Sequence, residues 1–370
     1  MGYNTHLMKL LVIGFGKMGM LHAATLRTLP GVTGVVIAET SPLVRRAIGT
    51  LAPGMRVVAD YRAALAAGDI AGAVIATPTA SHAPIFRELG PRVRGIFVEK
   101  PFASDFADAS AAAAALPAEK TGSVMTGHCL RFSPVFEEAK RLLDAGVLKG
   151  ITRFEASMFS SDVLKPSGSW RFKGARSGGG VLLDLGSHLV DMVRHFFGPP
   201  ARLSGRTESV VSKAAEDSFV SEWFYPASGF TGTLIGSWSK PDSRKASLQI
   251  RVEGPNGRMD VFDDAVELEL GSAAAGIPAG SSRFAVTSLE HAVPFDLAGP
   301  MYTRQLLAWL ASFSGPPVAV NTLTENLTNL QLIDAIRNSK GKTVEFESVW
   351  PHDQFNGRAN GQSGGRHASI

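Results

Sequence analysis

Four polar residues in the middle of the chain are spaced as they would be on one face of a helix. Asp184, His188, Asp191 and His195 follow one another at intervals of four, three and four residues, and residues three or four apart share a helix face. A carboxylate one turn before a histidine can fix the tautomer of the ring and raise its basicity. This stretch, which begins with a flexible triple glycine at residues 178–180, has what a general base held against a substrate needs.

The same four side chains allow other interpretations. Four ligands along one helix cannot surround one ion tetrahedrally, so we expect no metal site here. Asp184 could instead cap the helix, and His188 could be a buried core histidine. We expect Asp191 either to support the site from behind or to contact the substrate, and we expect His195 to be structural.

A second candidate site lies near the start of the chain, where a glycine-rich motif follows the first predicted strand. It consists of Gly14, Phe15, Gly16, Lys17, Met18 and Gly19. The first glycine of such a motif permits a tight turn, the second lets the backbone approach a pyrophosphate, and the third lets the helix pack closely on the strand. The helix N-terminus adds N–H groups and positive potential. The motif therefore predicts a dinucleotide site.

Glu39 bears on which dinucleotide is bound. It ends the second predicted strand, 20 residues after Gly19. A carboxylate there can accept hydrogen bonds from both adenosine ribose hydroxyls and repels a 2′-phosphate. NAD is therefore favoured, and NADP stays an alternative because Arg45 and Arg46 lie one turn further on.

Three more residues are predicted to line the cofactor. Thr77, Pro78 and His82 follow the strand predicted at residues 73–76, and open α/β sheets bind ligands outside the carboxyl ends of their strands. We expect His82 to be a helix-start residue beside the cofactor rather than a catalyst.

The elements that must position these residues alternate in the first third of the chain. Strands are predicted at residues 10–13, 35–38, 73–76, 95–98 and 123–125. Helices are predicted at residues 18–29, 43–51, 61–67, 83–89 and 105–116. This alternation predicts an α/β fold, with a doubly wound parallel sheet and helices on both faces.

The pattern changes beyond residue 151. Short strands separated by tight turns are predicted at residues 219–225, 229–238, 246–253, 257–262 and 265–270. They indicate an open, mainly antiparallel sheet in an α+β arrangement. A loop of small residues is expected at residues 271–282, and two helices are expected at residues 301–313 and 323–339.

Length and composition set the outer limits. At 370 residues the chain is long enough for two domains. We predict a dinucleotide-binding domain at residues 8–127, a substrate-binding and oligomerisation domain at residues 128–348, and a disordered polar tail at residues 351–370. The net charge of +4, carried by scattered basic residues, argues against nucleic-acid binding. No segment approaches the roughly 20 apolar residues of a membrane span, so we expect no membrane partner and a cytoplasmic location.

Three further motifs join the glycine motif in a defined order. Glu99-Lys100-Pro101 directly follows the strand at residues 95–98, the stretch at residues 127–134 opens the second part, and the Asp184/His188 helix comes next. In this order and spacing the motifs resemble the glucose–fructose oxidoreductase/inositol dehydrogenase (Gfo/Idh/MocA) family over roughly residues 8–345.

The resemblance implies an N-terminal Rossmann domain and a C-terminal domain whose open sheet forms homodimer or homotetramer interfaces. It implies an NAD(P)-dependent oxidoreductase that acts on a ring hydroxyl or keto carbon of a sugar, cyclitol or sugar derivative. Lys100 would hydrogen-bond the substrate oxygen and, with Glu99, contact the cofactor. Asp184 would orient the site and His188 would be the acid/base. The expected substrate contacts beside these are His128, Arg131, Trp170 and Arg171.

These residue types agree with that chemistry. Removing hydride from a C–OH group leaves a proton to be taken from oxygen, and histidine titrates near the required pH. A neighbouring lysine ammonium stabilises negative charge on that oxygen and helps to keep the histidine neutral. The same residues would serve a glycosidase or lyase that recycles bound NAD. A third alternative is a non-catalytic dinucleotide-binding regulator, which has no need for Lys100, Asp184 and His188 together.

Overall fold

The first part of the chain forms a six-stranded parallel sheet. The structure, a computed structural model, describes residues 7–52, 54–164, 179–289 and 292–349. The six strands are β1 (Met8–Ile13), β2 (Val32–Ala38), β3 (Arg56–Val58), β4 (Ile70–Ile75), β5 (Gly95–Val98) and β6 (Val124–Thr126). They lie in the order β3-β2-β1-β4-β5-β6 and all pair in parallel. This is the strand order of doubly wound dinucleotide-binding folds, so the predicted fold is confirmed.

Five helices connect these strands. They are α1 (Lys17–Leu26), α2 (Pro42–Leu51), α3 (Tyr61–Leu65), α4 (His82–Leu89) and α5 (Phe106–Ala114). Ser41, Asp60 and Asp105 each accept a backbone N–H in the first turn of α2, α3 and α5, which pairs groups that a helix start leaves free. The helices α1 and α4 have no such bond, and the residue before α1 is Gly16, which has no side chain to cap it.

The second part of the chain forms a nine-stranded sheet. Its strands are β7 (Arg153–Phe159), β8 (Arg202–Glu208), β9 (Ser218–Tyr225), β10 (Phe230–Ser237), β11 (Ser247–Gly254), β12 (Gly257–Val261), β13 (Ala265–Leu270), β14 (Gly280–Ala285) and β15 (Val344–Glu345). They lie in the order β14-β13-β12-β11-β7-β10-β9-β8-β15. Among the described strands of this sheet only β7 and β10 pair in parallel, so the prediction of a mainly antiparallel sheet is confirmed.

Two details of this sheet differ from the predictions. The prediction of a loop over residues 271–282 is wrong for residues 280–282, because β14 begins at Gly280 and pairs with β13. The small polar residues of β14 have no hydrophobic alternation, and its pairing depends on backbone hydrogen bonds that any residue type can make. The strands β7, β8 and β15 were not predicted either.

The helix that carries Asp184 and His188 packs on this sheet. The helices of the second part are α6 (Pro134–Asp144), α7 (Val181–Phe197), α8 (Val286–Leu289), α9 (Pro300–Ala311) and α10 (Leu323–Ser339). The apolar stripe of α7, represented by Leu182, Leu185 and Leu189, is buried against β7, β9 and β10. Burying such a side chain is worth about 1.5–3 kcal/mol, so the stripe fixes which face of α7 turns away from the sheet.

The helix α9 of the second part packs on the core of the first sheet. Leu306, Trp309 and Leu310 of α9 are buried in the core that contains Met8 and Leu10 of β1, and the Trp309 ring lies edge-on to Phe97 with 5.9 Å between ring centroids. The helix α9 belongs to the predicted second domain but packs on the sheet of the predicted first domain. The domain boundary between residues 127 and 128 stays a prediction.

No helix among the described residues is long and apolar enough to cross a membrane. The helices α7 and α10 have 17 residues each and both carry charged side chains.

Candidate active site

A cavity of about 880 Å³ lies at the carboxyl edge of the parallel sheet. Its walls come from the segments after β1, β2, β3, β4 and β5, from the start of α7 and from Trp238. The cavity therefore lies where open α/β sheets bind ligands, beside the helix of the second part that carries Asp184.

Most of the predicted site residues line this cavity. They are Gly14, Phe15, Gly16, Lys17, Met18, Glu39, Thr77, Pro78, His82, Glu99, Lys100 and Asp184. Gly19 is buried behind the loop instead. His128, Arg131 and His188 are not among the described residues that line the cavity, and Trp170 and Arg171 lie outside the described residues.

The glycine loop has the shape that a pyrophosphate needs. Gly14 has φ +89°, and a Cβ on it would lie 2.7 Å from the carbonyl oxygen of Ala76. A Cβ on Gly19 would lie 2.0 Å from the carbonyl oxygen of Gly14, so only glycine allows helix and strand to approach this closely. A Cβ on Gly16 would enter open space, at an N-terminus of α1 that no side chain caps. The free N–H groups of α1 thus face a cradle for phosphate oxygens.

Glu39 is held rigidly at the end of β2. One carboxylate oxygen accepts a hydrogen bond from Phe15 N at 2.9 Å, and the other accepts one from Ser41 N at 2.7 Å. Arg45 donates to the carbonyl oxygens of Glu39 and Thr40 at 2.7 Å each. A fixed carboxylate beside the glycine loop fits the ribose hydroxyls of NAD, and Arg45 turns its guanidinium to the backbone.

Several residues that line the cavity were not predicted, and three of them are consecutive along the chain. Asp60, Tyr61 and Arg62 lie just after β3, on the Glu39 side of the cavity. Arg62 pairs with Glu88 through Nε at 2.8 Å and lies 4.8 Å over the Tyr61 ring. Burial and the hydrogen bond with Glu88 raise the pKa of Tyr61 to about 12. The sequence did not predict this part of the cavity because β3 has only three residues, too few for a recognisable alternation of apolar and polar residues.

Lys100 and Asp184 meet across the cavity. The ammonium group of Lys100 donates to Asp184 Oδ1 at 2.8 Å and to the backbone oxygen of Asp184 at 3.2 Å. Glu99 alone separates Lys100 from β5, and the peptide bond between Lys100 and Pro101 is cis. Asp184 lies inside the first turn of α7, whose cap position is Gly180, so it does not cap the helix.

His82 is buried between two of the loops that line the cavity. Its Nδ1 lies 2.9 Å from the carbonyl oxygen of Pro101, and its Nε2 lies 2.8 Å from that of Thr77. Burial lowers the pKa of the ring. Both nitrogens therefore face backbone oxygens, and the ring bridges the loop after β4 to the loop that carries Lys100.

His188 lies one turn after Asp184 and is mostly buried. Burial, the positive charge of Lys100 and the nearby His128 ring together hold the pKa of His188 well below 6.5. The His128 ring stands perpendicular to that of His188, with 6.2 Å between the centroids. The imidazole is therefore neutral at neutral pH and is able to accept a proton.

A buried ion network lies beneath these histidines. Arg131, whose side chain is 1% exposed, donates to both oxygens of Asp191 at 2.9 and 2.6 Å and to Glu325 at 2.6 Å. Arg194 bonds Glu325 and Asn329 from the same side. Burial alone would raise the pKa of Asp191, but the Arg131 guanidinium holds it well below its usual range. The sequence spacing predicts that Asp191 shares a helix face with Asp184 and His188, but it does not identify Arg131 as the partner of Asp191.

His195 lies at the edge of the network. Its Nδ1 is 3.5 Å from a nitrogen of Arg131. Burial, followed by the charge of Arg131, lowers the pKa of His195 to about 4. This neutral ring packs against the network and is remote from the cavity lining, in keeping with the structural role expected for it.

Two family models match this chain. The model described as an oxidoreductase family with an NAD-binding Rossmann fold matches residues 8–128, and the model of the GFO/IDH/MocA C-terminal domain matches residues 136–260. Both halves of the cavity, the glycine loop and the start of α7, fall within these matches.

Two dehydrogenases are similar in sequence to this chain, one over most of its length and the other over about half. D-apiose dehydrogenase of Paraburkholderia graminis is 26% identical over 344 residues, which are 91% of this chain and 89% of that protein. The scyllo-inositol 2-dehydrogenase (NAD(+)) of Bacillus subtilis is 28% identical over 205 residues, which are 52% of this chain and 55% of that protein.

A solved structure has the same fold. Levoglucosan dehydrogenase in complex with NADH and levoglucosan superimposes with a TM-score of 0.80 at 20% identity, covering 92% of this chain and 100% of that chain. The strand order, the glycine loop and both family models lead to one conclusion. The chain belongs to the GFO/IDH/MocA oxidoreductase family and carries its NAD-binding Rossmann domain.

Proposed function

We propose that this protein uses NAD to transfer hydride to or from a ring carbon of a sugar, cyclitol or sugar derivative. The observation that carries the proposal is the contact between Lys100 and Asp184 at the cavity wall, one helical turn from His188. The activities named for the relatives, on D-apiose and scyllo-inositol, support this class of substrate.

The residues beside the glycine loop would hold the cofactor. The N–H groups at the start of α1 would bind the pyrophosphate, and Glu39 would accept the ribose hydroxyls. Bound NAD supplies the hydride acceptor or donor, which no side chain can provide. The chain's own residues have to place the substrate, stabilise its oxygen and move its proton.

Lys100 would stabilise the substrate oxygen. Its ammonium group is oriented by the two Asp184 oxygens, which leaves N–H capacity for a third acceptor because an ammonium group has three donors. A fixed positive charge beside the oxygen is favourable when negative charge develops there. Asp184 in this proposal orients Lys100, a more specific role than the general orientation expected from the sequence.

His188 would take the proton in the direction of oxidation and return it in reduction. Its lowered pKa keeps the ring neutral, which a general base requires. Lys100 contributes to that lowering, so the lysine both binds the oxygen and keeps the base free of a proton. Once protonated beside the lysine, the ring is a stronger acid than a free imidazolium and readily releases the proton.

The other predicted substrate residues divide into two kinds. His128 and Arg131 are buried among the ion network, which supports a role in holding His188 rather than in touching the substrate. Trp170 and Arg171 stay predicted substrate contacts.

The experiment mixes purified protein with NAD⁺ and a panel of sugars and cyclitols and follows absorbance of the reduced nicotinamide. We expect turnover of at least one member, and a loss of about 100-fold or more in kcat for Lys100→Met and His188→Ala. Full turnover in either variant would contradict the roles. Glycosidic cleavage without net NADH would indicate the NAD-recycling alternative, and cofactor binding without turnover of any substrate would indicate a regulator.

We also propose that the nine-stranded sheet joins copies of the chain into a homodimer or homotetramer. The helices α6, α7 and α10 pack on one face of this sheet. Side chains on the other face, among them Glu155, Val220 and Thr231, are exposed. Light scattering after size exclusion tests the proposal: Val220→Arg is expected to lower the mass, and a monomeric wild-type protein would contradict it.

A further inference from the structure

The helix that carries Asp184 and His188 is capped by a residue from a distant loop. Gly180, the residue before α7, has no side chain to bond the first N–H groups of the helix. Glu216 bonds two of them. Its carboxylate accepts from Gly180 N at 3.1 Å, and its backbone oxygen accepts from Val181 N at 2.9 Å. Groups that a helix start leaves unpaired are thus satisfied from outside the helix.

Gly180 is shaped for this contact. A Cβ added to Gly180 would lie 2.2 Å from the backbone oxygen of Glu216 and 2.5 Å from its carboxyl carbon. Any other residue would push Glu216 away. The glycine before the helix is therefore needed for the close approach of Glu216. This steric fit supports the contact independently of its hydrogen bonds.

Glu216 is itself held in place by the next residue. Asp217 is fully buried, and its carboxylate accepts the backbone N–H groups of Val210, Val211 and Ser212 at 2.5–2.8 Å. Its backbone oxygen accepts from Trp238 N at 2.8 Å. These four hydrogen bonds hold Glu216 and Asp217 in place at the start of α7. One of them comes from Trp238, which lines the cavity.

The cap lies one turn from the reactive groups. Asp184 N donates to the backbone oxygen of Gly180 at 3.1 Å, and the Asp184 carboxylate is the one that binds Lys100. A shift at Gly180 would move Asp184 and, with it, the ammonium group. A carboxylate at this end of α7 also interacts favourably with the helix dipole.

We propose that Glu216 is a positioning residue, which acts through the start of α7 to hold Asp184 against Lys100. This inference rests on the proposed function. It predicts that the carboxylate acceptor of Glu216 is needed for turnover while the fold tolerates its loss, because the backbone oxygen still bonds Val181 after truncation.

The experiment compares Glu216→Ala with Glu216→Gln, and uses Glu119→Ala, which alters an exposed glutamate in the first part, as the matched control. For Glu216→Ala we expect kcat to fall about tenfold while KM for NAD changes less than about twofold. Glu216→Gln, whose amide oxygen still accepts a hydrogen bond, should stay within about twofold of the wild type. Amide hydrogen exchange over residues 181–185 should accelerate in Glu216→Ala only.

A second variant tests the same contact from the other side. Gly180→Ala should show a similar loss in kcat, and combining it with Glu216→Ala should cost less than the product of the single effects, because both remove one interaction. An unchanged kcat in folded Glu216→Ala, or an equal loss in Glu216→Gln, would overturn the proposal. If the wild type turned over no sugar or cyclitol, the proposed function would fail. The exchange rates of residues 181–185 would still decide whether Glu216 holds the helix.

Discussion

The ammonium nitrogen of Lys100 lies 2.8 Å from Oδ1 of Asp184, although 84 residues separate the two along the chain. Lys100 follows the fifth strand of the parallel sheet and Asp184 lies in the first turn of α7. Their contact joins the cofactor side of the cavity to the helix that carries His188.

Replacing Asp184 by asparagine tests how much the charge of the carboxylate matters. In Asp184→Asn the side-chain amide oxygen could still accept one hydrogen bond from Lys100, but the ion pair would be lost. We expect kcat to fall about 10- to 100-fold with little change in the binding of NAD, because the ammonium group is no longer fixed. Steady-state kinetics with fluorescence titration of the cofactor measures both quantities.

The matched control is Asp144→Asn, which removes an exposed carboxylate that pairs with Lys140. It should leave kcat unchanged. Equal effects of the two substitutions would count against a specific role of Asp184.

The low pKa of His188 predicts the pH dependence of oxidation. A base whose pKa lies well below 6.5 is neutral at and above that pH, so protonation reduces the rate only in more acidic solution. The acid limb of kcat/KM for oxidation is therefore expected below pH 6.5. In Lys100→Gln, which removes a positive charge near the ring, the residual activity should have its acid limb at higher pH. An acid limb of the wild type at or above pH 6.5 would refute this assignment.

Glu39 is expected to set the preference for NAD. Glu39→Ser removes the carboxylate that accepts from Phe15 N and Ser41 N and that would accept the ribose hydroxyls. Hydrogen bonds to a charged group are worth about 1.5–3 kcal/mol each, so NAD affinity should fall at least about tenfold. NADP affinity should fall less, because repulsion of the 2′-phosphate is relieved. Titrations of both cofactors give the ratio, and a ratio equal to that of the wild type would disprove the prediction.

The buried network is expected to contribute to stability. Asp191→Ala leaves the buried guanidinium groups of Arg131 and Arg194 without one of their carboxylates. Breaking a buried pair by removing one partner costs about 3–5 kcal/mol, so the free energy of unfolding in urea should fall by about that amount. Asp144→Ala breaks an exposed pair and should cost less than about 1 kcal/mol. Similar losses in both variants would show that burial does not matter here.

Short-range patterns were sufficient for much of the fold. The strand–turn–helix around Gly14 and Gly19 is a local structure, because steric limits at two glycines and one strand determine it. Likewise, the spacing of Asp184 and His188 predicts that both lie on one side of a helix whatever the helix packs against. The strands β3 and β14 were not predicted from the sequence. β3 has only three residues, and β14 has no alternation of apolar and polar residues, so neither contains a periodic signal.

The sequence by itself determined which side chains were available for the chemistry and on which local elements they lie: Lys100 after a strand, Asp184 and His188 on one helix face, and Glu39 at a strand end. Only the tertiary structure decided their partners. Lys100 bonds Asp184, Arg131 bonds Asp191 and Glu216 caps the helix across 36 to 84 residues of chain. Such contacts arise from the packing of whole elements, which buries apolar faces far from the site, and no local spacing encodes them.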